Sequence, residues 1–162
     1  MIDTHFTNGS GMRLTAEQVM GEVKTYMKVR PSSTYKITIG TDSSLLLDKN
    51  ADFVTAIVVH RIGNGGRYFW RRGKLGTFHT LRDRIIQEVL LSLEIAQDVL
   101  ELLKAEGEEL PRWTFEIHVD VGTEGPTSVM LQEVIGLVRA HNFEALTKPQ
   151  SYAASAVADR HV

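Results

Sequence analysis

From Leu81 to about Lys104 the chain has neither proline nor glycine, and Leu81, Ile85, Val89, Leu93, Ala96, Leu100 and Leu103 trace a helical stripe along it. A helix this long with one apolar side must lie on something broad. The residues before it supply a sheet. Runs at 34–42, 52–61 and 66–72 are rich in apolar, β-branched and aromatic residues, and Gly63-Asn64-Gly65-Gly66 between the last two is a strong hairpin turn, because Asn and Gly tolerate positive φ. An earlier helix is expected over 15–29. The capping box Thr15-Ala16-Glu17-Gln18 opens it, Val19, Val23, Tyr26 and Met27 carry its apolar side, and Pro31 stops it. Residues 1–14, rich in Gly, Ser, Asn and Thr, read as a loose lead-in.

After the long helix, which Gly107 should end, Trp113 to Val121 alternates as a strand, with Glu116, His118 and Asp120 sharing one side. Pro126 suits an early helical position, and a helix is expected from there to about Ala140. Phe143 to Lys148 reads as a last short strand before Pro149, and Ser151 as the cap of a terminal helix. The order is helix, three antiparallel strands, then α-β-α-β-α. That is an α/β domain spanning 1–162, with a mixed five-stranded sheet, helices on both faces and an extra N-terminal helix.

Composition narrows the chemistry. At 162 residues and 43% hydrophobic content the chain can bury a core without disulfides. The absence of cysteine removes thiolate zinc sites and cysteine nucleophiles. No basic segment leads into an apolar stretch at the N-terminus and no run approaches membrane-spanning length, so a soluble cytoplasmic protein with no membrane partner is expected. With a net charge of −2, any contact with a polyanion must come from a local patch.

Four carboxylates fall at comparable places in the element order: Asp42 at the end of the first strand of the meander, Glu88 in the long helix, Asp120 near the end of the fourth strand and Asp159 in the last helix. At about 100° per residue, Glu88 lies with Ser92, Ile95 and Val99 on the apolar arc, while Asp83, Glu94 and Glu101 lie opposite. A carboxylate turned toward a sheet is costly unless it meets a cation, whether an arginine such as Arg84 or Arg67 or a metal ion. Hard divalent ions prefer oxygen ligands, and a pair of them suits in-line phosphoryl displacement. Carboxylates on separate elements can form such a platform.

Element order and motifs together resemble the RNase H-like proteins, and more narrowly the YkuK group of predicted RNase H-related nucleases. The narrower resemblance rests on Ile39-Gly40-Thr41-Asp42-Ser43, Val58-Val59-His60-Arg61, Ser92-Leu93-Glu94-Ile95-Ala96, Ile117-His118-Val119-Asp120-Val121-Gly122 and the segment from Lys148 to Arg160. It implies a nuclease that hydrolyses phosphodiesters with two Mg²⁺ or Mn²⁺ ions and leaves 5′-phosphates. Asp42, Glu88, Asp120 and Asp159 would be ligands, and Asp159 or His118 would complete the site. The nucleic-acid partner could be DNA or RNA.

Other features compete for a role. Arg67-Tyr68-Phe69-Trp70-Arg71-Arg72-Gly73-Lys74 interleaves cations with aromatics, as backbone binders do, and with Lys148 it makes Arg67, Arg71, Arg72 and Lys74 candidate nucleic-acid contacts. Alternation puts Arg67 and Arg71 on one face and Arg72 on the other, and a charged edge strand is the bland reading. His118 and His60 could shuttle protons or serve as ordinary hydrogen-bonded residues. Ser43 and Ser44 lack an assignable base, and no phosphate-binding loop motif appears. Two rival functions stay open on the same fold: a catalytically silent nucleic-acid- or protein-binding module, and a nucleotide phosphatase or ATPase.

Overall fold

The computed structural model describes residues 2–105 and 110–147. Strands β1 (Phe6–Asn8) and β2 (Arg13–Leu14) precede helix α1 (Ala16–Val29); β3 (Tyr35–Leu45), β4 (Ala51–Arg61) and β5 (Gly66–Leu75) follow as an antiparallel meander. Then come α2 (Leu81–Lys104), β6 (Trp113–His118), a 3-10 turn at Ser128–Met130, α3 (Leu131–Ala140) and β7 (Ala145–Leu146). The seven strands form one sheet in the order β2-β1-β5-β4-β3-β6-β7, with β6 parallel to β3 and β7 parallel to β6.

The expected five-strand core is present, but the sheet is wider. Residues read as a loose lead-in run along the outer edge of β5: Thr7 and Asn8 pair with Trp70 and Phe69, the Asp3 amide donates to the Arg72 carbonyl at 3.0 Å, and β2 folds back on β1. Phe6 and Leu14, 3% and 5% exposed, anchor this addition. The basic strand is therefore not an edge over most of its length.

Local chemistry accounts for the element ends. The Thr15 hydroxyl accepts from the Gln18 amide at 3.2 Å while Gln18 Oε1 accepts from the Thr15 amide at 2.8 Å, closing the capping box of α1. Thr80 caps α2 by accepting from the Asp83 amide. Gly63 and Gly65 take φ of 81° and 79° in the β4–β5 turn. The helix expected from Pro126 begins instead at Leu131, after a turn and the 3-10 segment, and no side chain caps it.

Helices α1, α2 and α3 share one core with alternate residues of the central strands, including Tyr35, Ile37, Ile39, Val59 and Ile117. The Tyr35 hydroxyl donates to the Met27 carbonyl at 3.0 Å, tying the start of β3 to α1. The other sheet face carries Thr38, Val54 and Ala56, each fully buried, and Trp70 packs against the last two. The expected stop at Gly107, the end of the last strand at Lys148 and the terminal helix from Ser151, with Asp159, lie outside the described residues. Among the described residues, no helix is long and apolar enough to cross a membrane.

Candidate functional site

Asp42 is not the last residue of its strand. Pairing with β4 continues through Ser43, Ser44 and Leu45, so Asp42 sits inside the ladder opposite Val54. Its Oδ1 accepts from the Ser43 amide at 2.9 Å, which fixes the carboxylate against its own backbone. The parallel pairing of β3 with β6 ends at Gly40 opposite His118; Asp42 stands two residues further along β3, and Asp120 two residues past the end of β6. Two half-buried carboxylates thus stand just past the point where the two strands stop pairing.

Glu88 approaches from the helix side. It is 3% exposed, and its Oε2 accepts a short hydrogen bond from the Ser43 hydroxyl. Arg84, one turn earlier on α2, donates from Nη1 to that hydroxyl and to the Ser43 carbonyl, at 3.0 and 3.1 Å. One turn later, Ser92 Oγ lies 2.7 Å from Thr41 Oγ1, which lies 2.9 Å from Thr55 Oγ1. Arg84, Glu88 and Ser92 therefore form a polar stripe at i, i+4, i+8 that meets the i, i+2 pair Thr41 and Ser43 of β3. These partners were the part missed from sequence, although the two spacings were there to be seen. Arg84 does offset Glu88, as one expected alternative had it, with Ser43 bridging the two.

Burial is the main cause of the Glu88 carboxyl standing well above its ordinary pKa. The Ser43 hydrogen bond opposes that rise, the fields of Asp42 and Asp120 add to it, and Arg84 opposes it weakly. Asp42 and Asp120 thus act on Glu88 through space. Strand alternation explains why the three do not meet more closely: Ser43 turns to α2, so Asp42 turns to the opposite face. Among the described residues, no three His, Asp or Glu side chains close on a common point at ligating spacing. The donor chemistry nevertheless suits a hard divalent cation, since all three groups offer carboxylate oxygens and their mutual repulsion is what such a cation relieves.

His118 is 1% exposed and shares its face with Glu116 and Lys36, themselves paired at 3.1 Å. Burial holds its pKa down at about 4, with Glu116 opposing the shift and Lys36 adding to it. The imidazole is neutral at pH 7. Because the folded pKa lies below the unfolded value of 6.5, the linked stability is complete above 6.5 and is lost as pH falls toward 4. The loss is on the order of 3 kcal/mol. Urea denaturation of wild type and His118→Asn between neutral and acid pH should show a shallower acid decline in the variant.

The basic strand divides as alternation requires. Arg67 and Arg71 face the helices: the Arg67 guanidinium stands 4.5 Å from the Tyr26 ring centroid, and Arg71 lies 5.4 Å from that of Phe6. Arg71 is partly buried, its Nε has no hydrogen-bond partner among the described residues, and burial lowers its pKa against the fields of Glu94, Asp98 and Asp3. Arg72 and Lys74 emerge on the Asp42 face. Arg72 pairs with Asp52 at 2.9 Å and Lys74 with Asp48 at 3.2 Å. Register puts Arg72, Val54 and Asp42 in one row across β5, β4 and β3, so Arg72 stands two strand spacings, about 10 Å, from Asp42. Lys148 and Asp159 lie outside the described residues.

Comparison with known proteins agrees with this layout. The model of the Ribonuclease H-like family matches residues 18–162. "Uncharacterized protein YkuK" of Bacillus subtilis (strain 168) is 35% identical over 170 residues, covering 96% of this chain and 95% of that protein. No solved structure gives a significant match. With likeness of this extent, and with three antiparallel strands leading through a long helix into a parallel fourth strand, the chain belongs to the Ribonuclease H-like family, in its YkuK-like branch.

Proposed function

We propose that this protein is a metal-dependent nuclease that hydrolyses phosphodiester bonds of nucleic acid. The observation that carries the proposal is that Asp42 and Asp120 each stand two residues past Gly40 and His118, the last paired residues of adjacent parallel strands, and that the buried Glu88 feels both charges. Asp42 and Asp120 would hold Mg²⁺ or Mn²⁺, with Glu88 as the helix-borne ligand and Asp159 as a further carboxylate. Such ions, when bound, polarise a phosphoryl oxygen and activate a water.

The chain's own residues do the positioning. Ser43, gripped by Arg84, fixes the Glu88 carboxylate, and the hydroxyls of Thr41, Thr55 and Ser92 satisfy one another in the layer beneath. On the outer face Arg72 and Lys74 can hold the sugar-phosphate backbone. Their present ion pairs with Asp52 and Asp48 lie at the solvent surface, where water screens them, so a phosphate can displace them. His118, buried and held neutral at pH 7, is a poor proton acceptor as it stands and would serve as a neutral neighbour of the site.

A panel of single-stranded, duplex, hybrid and branched DNA and RNA, incubated with Mn²⁺ or with EDTA, tests the proposal. Cleavage of at least one substrate with Mn²⁺ and none with EDTA is expected. Cleavage that is indifferent to EDTA, or absent from the whole panel, would count against it.

A further inference from the structure

A second feature lies at the far end of the sheet from Asp42. A groove of about 1130 Å³ opens between α1, the β1–β2 hairpin and the start of β5. β1 stops at Asn8, opposite Phe69, so among the described strands β5 has no outer neighbour from Gly66 to Tyr68. Arg61 pairs with Tyr35 at the start of β3, seven residues from Asp42. At the strand rise per residue the groove is about 23 Å from the carboxylates. It is not an extension of that site.

Charge gives the groove its character. Among the described residues Arg30, Arg61 and Arg67 line it against a single carboxylate, Glu22, in a chain whose net charge is −2. Arg61 is 7% exposed, and no carboxylate lies within ion-pair distance of it among the described residues. Its Nε donates to the Tyr35 hydroxyl at 3.0 Å, its Nη2 to the Tyr26 carbonyl at 2.7 Å, and its guanidinium stacks 3.9 Å from the Tyr26 ring centroid. Among the described residues these two neutral acceptors leave most of the guanidinium's five N–H donors unused. Arg67 stacks on the same ring from an exposed position. A buried cation with neutral partners beside a second, exposed cation attracts an anion.

The rim supplies the other half of a ligand. Met12 and Val29 are large apolar residues left 56% and 68% exposed at the groove, and Tyr68 is among its lining residues. Apolar and aromatic surface next to paired guanidinium groups matches a planar base joined to a phosphate. We infer that this groove binds a nucleoside phosphate, with its phosphate at Arg61 and Arg67 and its base against Met12, Val29 and Tyr68. The ligand could be a free nucleotide or the terminal nucleotide of a strand.

Calorimetry in EDTA separates this inference from nuclease activity, because neither metal nor turnover is needed. The probes are AMP, adenosine, inorganic phosphate, and a short oligothymidylate with and without a 5′-phosphate. AMP or the 5′-phosphorylated strand should bind roughly tenfold or more tightly than adenosine, phosphate or the unphosphorylated strand. Whichever of the two binds identifies the source of the nucleotide. Arg67→Glu and Arg30→Glu, both at exposed positions, should weaken binding by roughly tenfold or more with unchanged thermal stability, and Asp42→Asn should bind as wild type does. Binding unchanged in both arginine variants, binding lost in Asp42→Asn, or no preference for the phosphorylated probes would overturn it.

Discussion

Asp42→Asn is expected to lower Mn²⁺-dependent cleavage about 10³-fold, since loss of metal-borne charge stabilisation removes several kcal/mol from the transition state. The fold should survive, because Asn keeps the Oδ1 that accepts from the Ser43 amide and the strand pairing around residue 42 is made by backbone groups. Asp120→Asn should act similarly, since Asp120 stands two residues past the His118 that pairs with Gly40. The two losses should not add. Groups that act as one unit are largely disabled by removing either, so the double variant should fall little below the single ones. Initial rates on the best substrate of the panel, with circular dichroism to verify folding, measure this. Additive losses would mean that the two aspartates act at separate sites.

Glu88→Gln is expected to stabilise the metal-free protein at pH above the raised pKa of Glu88 while abolishing most of its stabilisation by divalent ions. The folded pKa of Glu88 lies above the ordinary value of 4.5. Between 4.5 and that raised value the native state holds a proton that the unfolded state has released. Its stability is therefore greatest below the ordinary value and declines as pH rises through the window. The substituted amide does not titrate, can still accept from the Ser43 hydroxyl, and leaves no buried charge facing Asp42 and Asp120.

A gain on the order of 1–2 kcal/mol is expected from this change, a few degrees in melting temperature. In wild type, a divalent ion at about 100 times its dissociation constant should add about 2.7 kcal/mol. Thermal melts of both proteins in EDTA and in saturating Mg²⁺ give all four values. A variant destabilised at every pH would make Glu88 a structural acceptor rather than part of a cation site.

How much of this was readable beforehand depended on element length. The stripe from Leu81 to Leu103 and the long alternating runs of β3, β4 and β5 carry enough periods to declare themselves, and the inward phase of Glu88 came with the stripe. β1 and β2 are three and two residues long, too short for any period, and only Phe6 and Leu14 mark them. The first strand of the meander is expected from sequence to end at Asp42, yet pairing continues to Leu45 opposite Ala51 and keeps Ser43 and Ser44 in the ladder. Pro126 suggested a helix start, but the chain uses that stretch as a turn.

The site was legible in parts. Which carboxylates belong together could be argued from element order, but the placing of Asp42 and Asp120 just past the Gly40–His118 pair depends on inter-strand register, which no local pattern specifies. The division of Arg67 and Arg71 from Arg72 followed from alternation alone. Their partners did not: Asp48 and Asp52 reach Lys74 and Arg72 across strands, and Tyr26 reaches Arg67 from α1.

Anomalous diffraction from crystals soaked in Mn²⁺ tests the central claim most directly, because it locates the ion without reference to any substrate. A peak between the Asp42 and Asp120 carboxylates, with Glu88 among the neighbouring donors and no peak in Asp42→Asn crystals, is the expected result. Mn²⁺ found only elsewhere, or bound equally well in the Asp42→Asn variant, would contradict it.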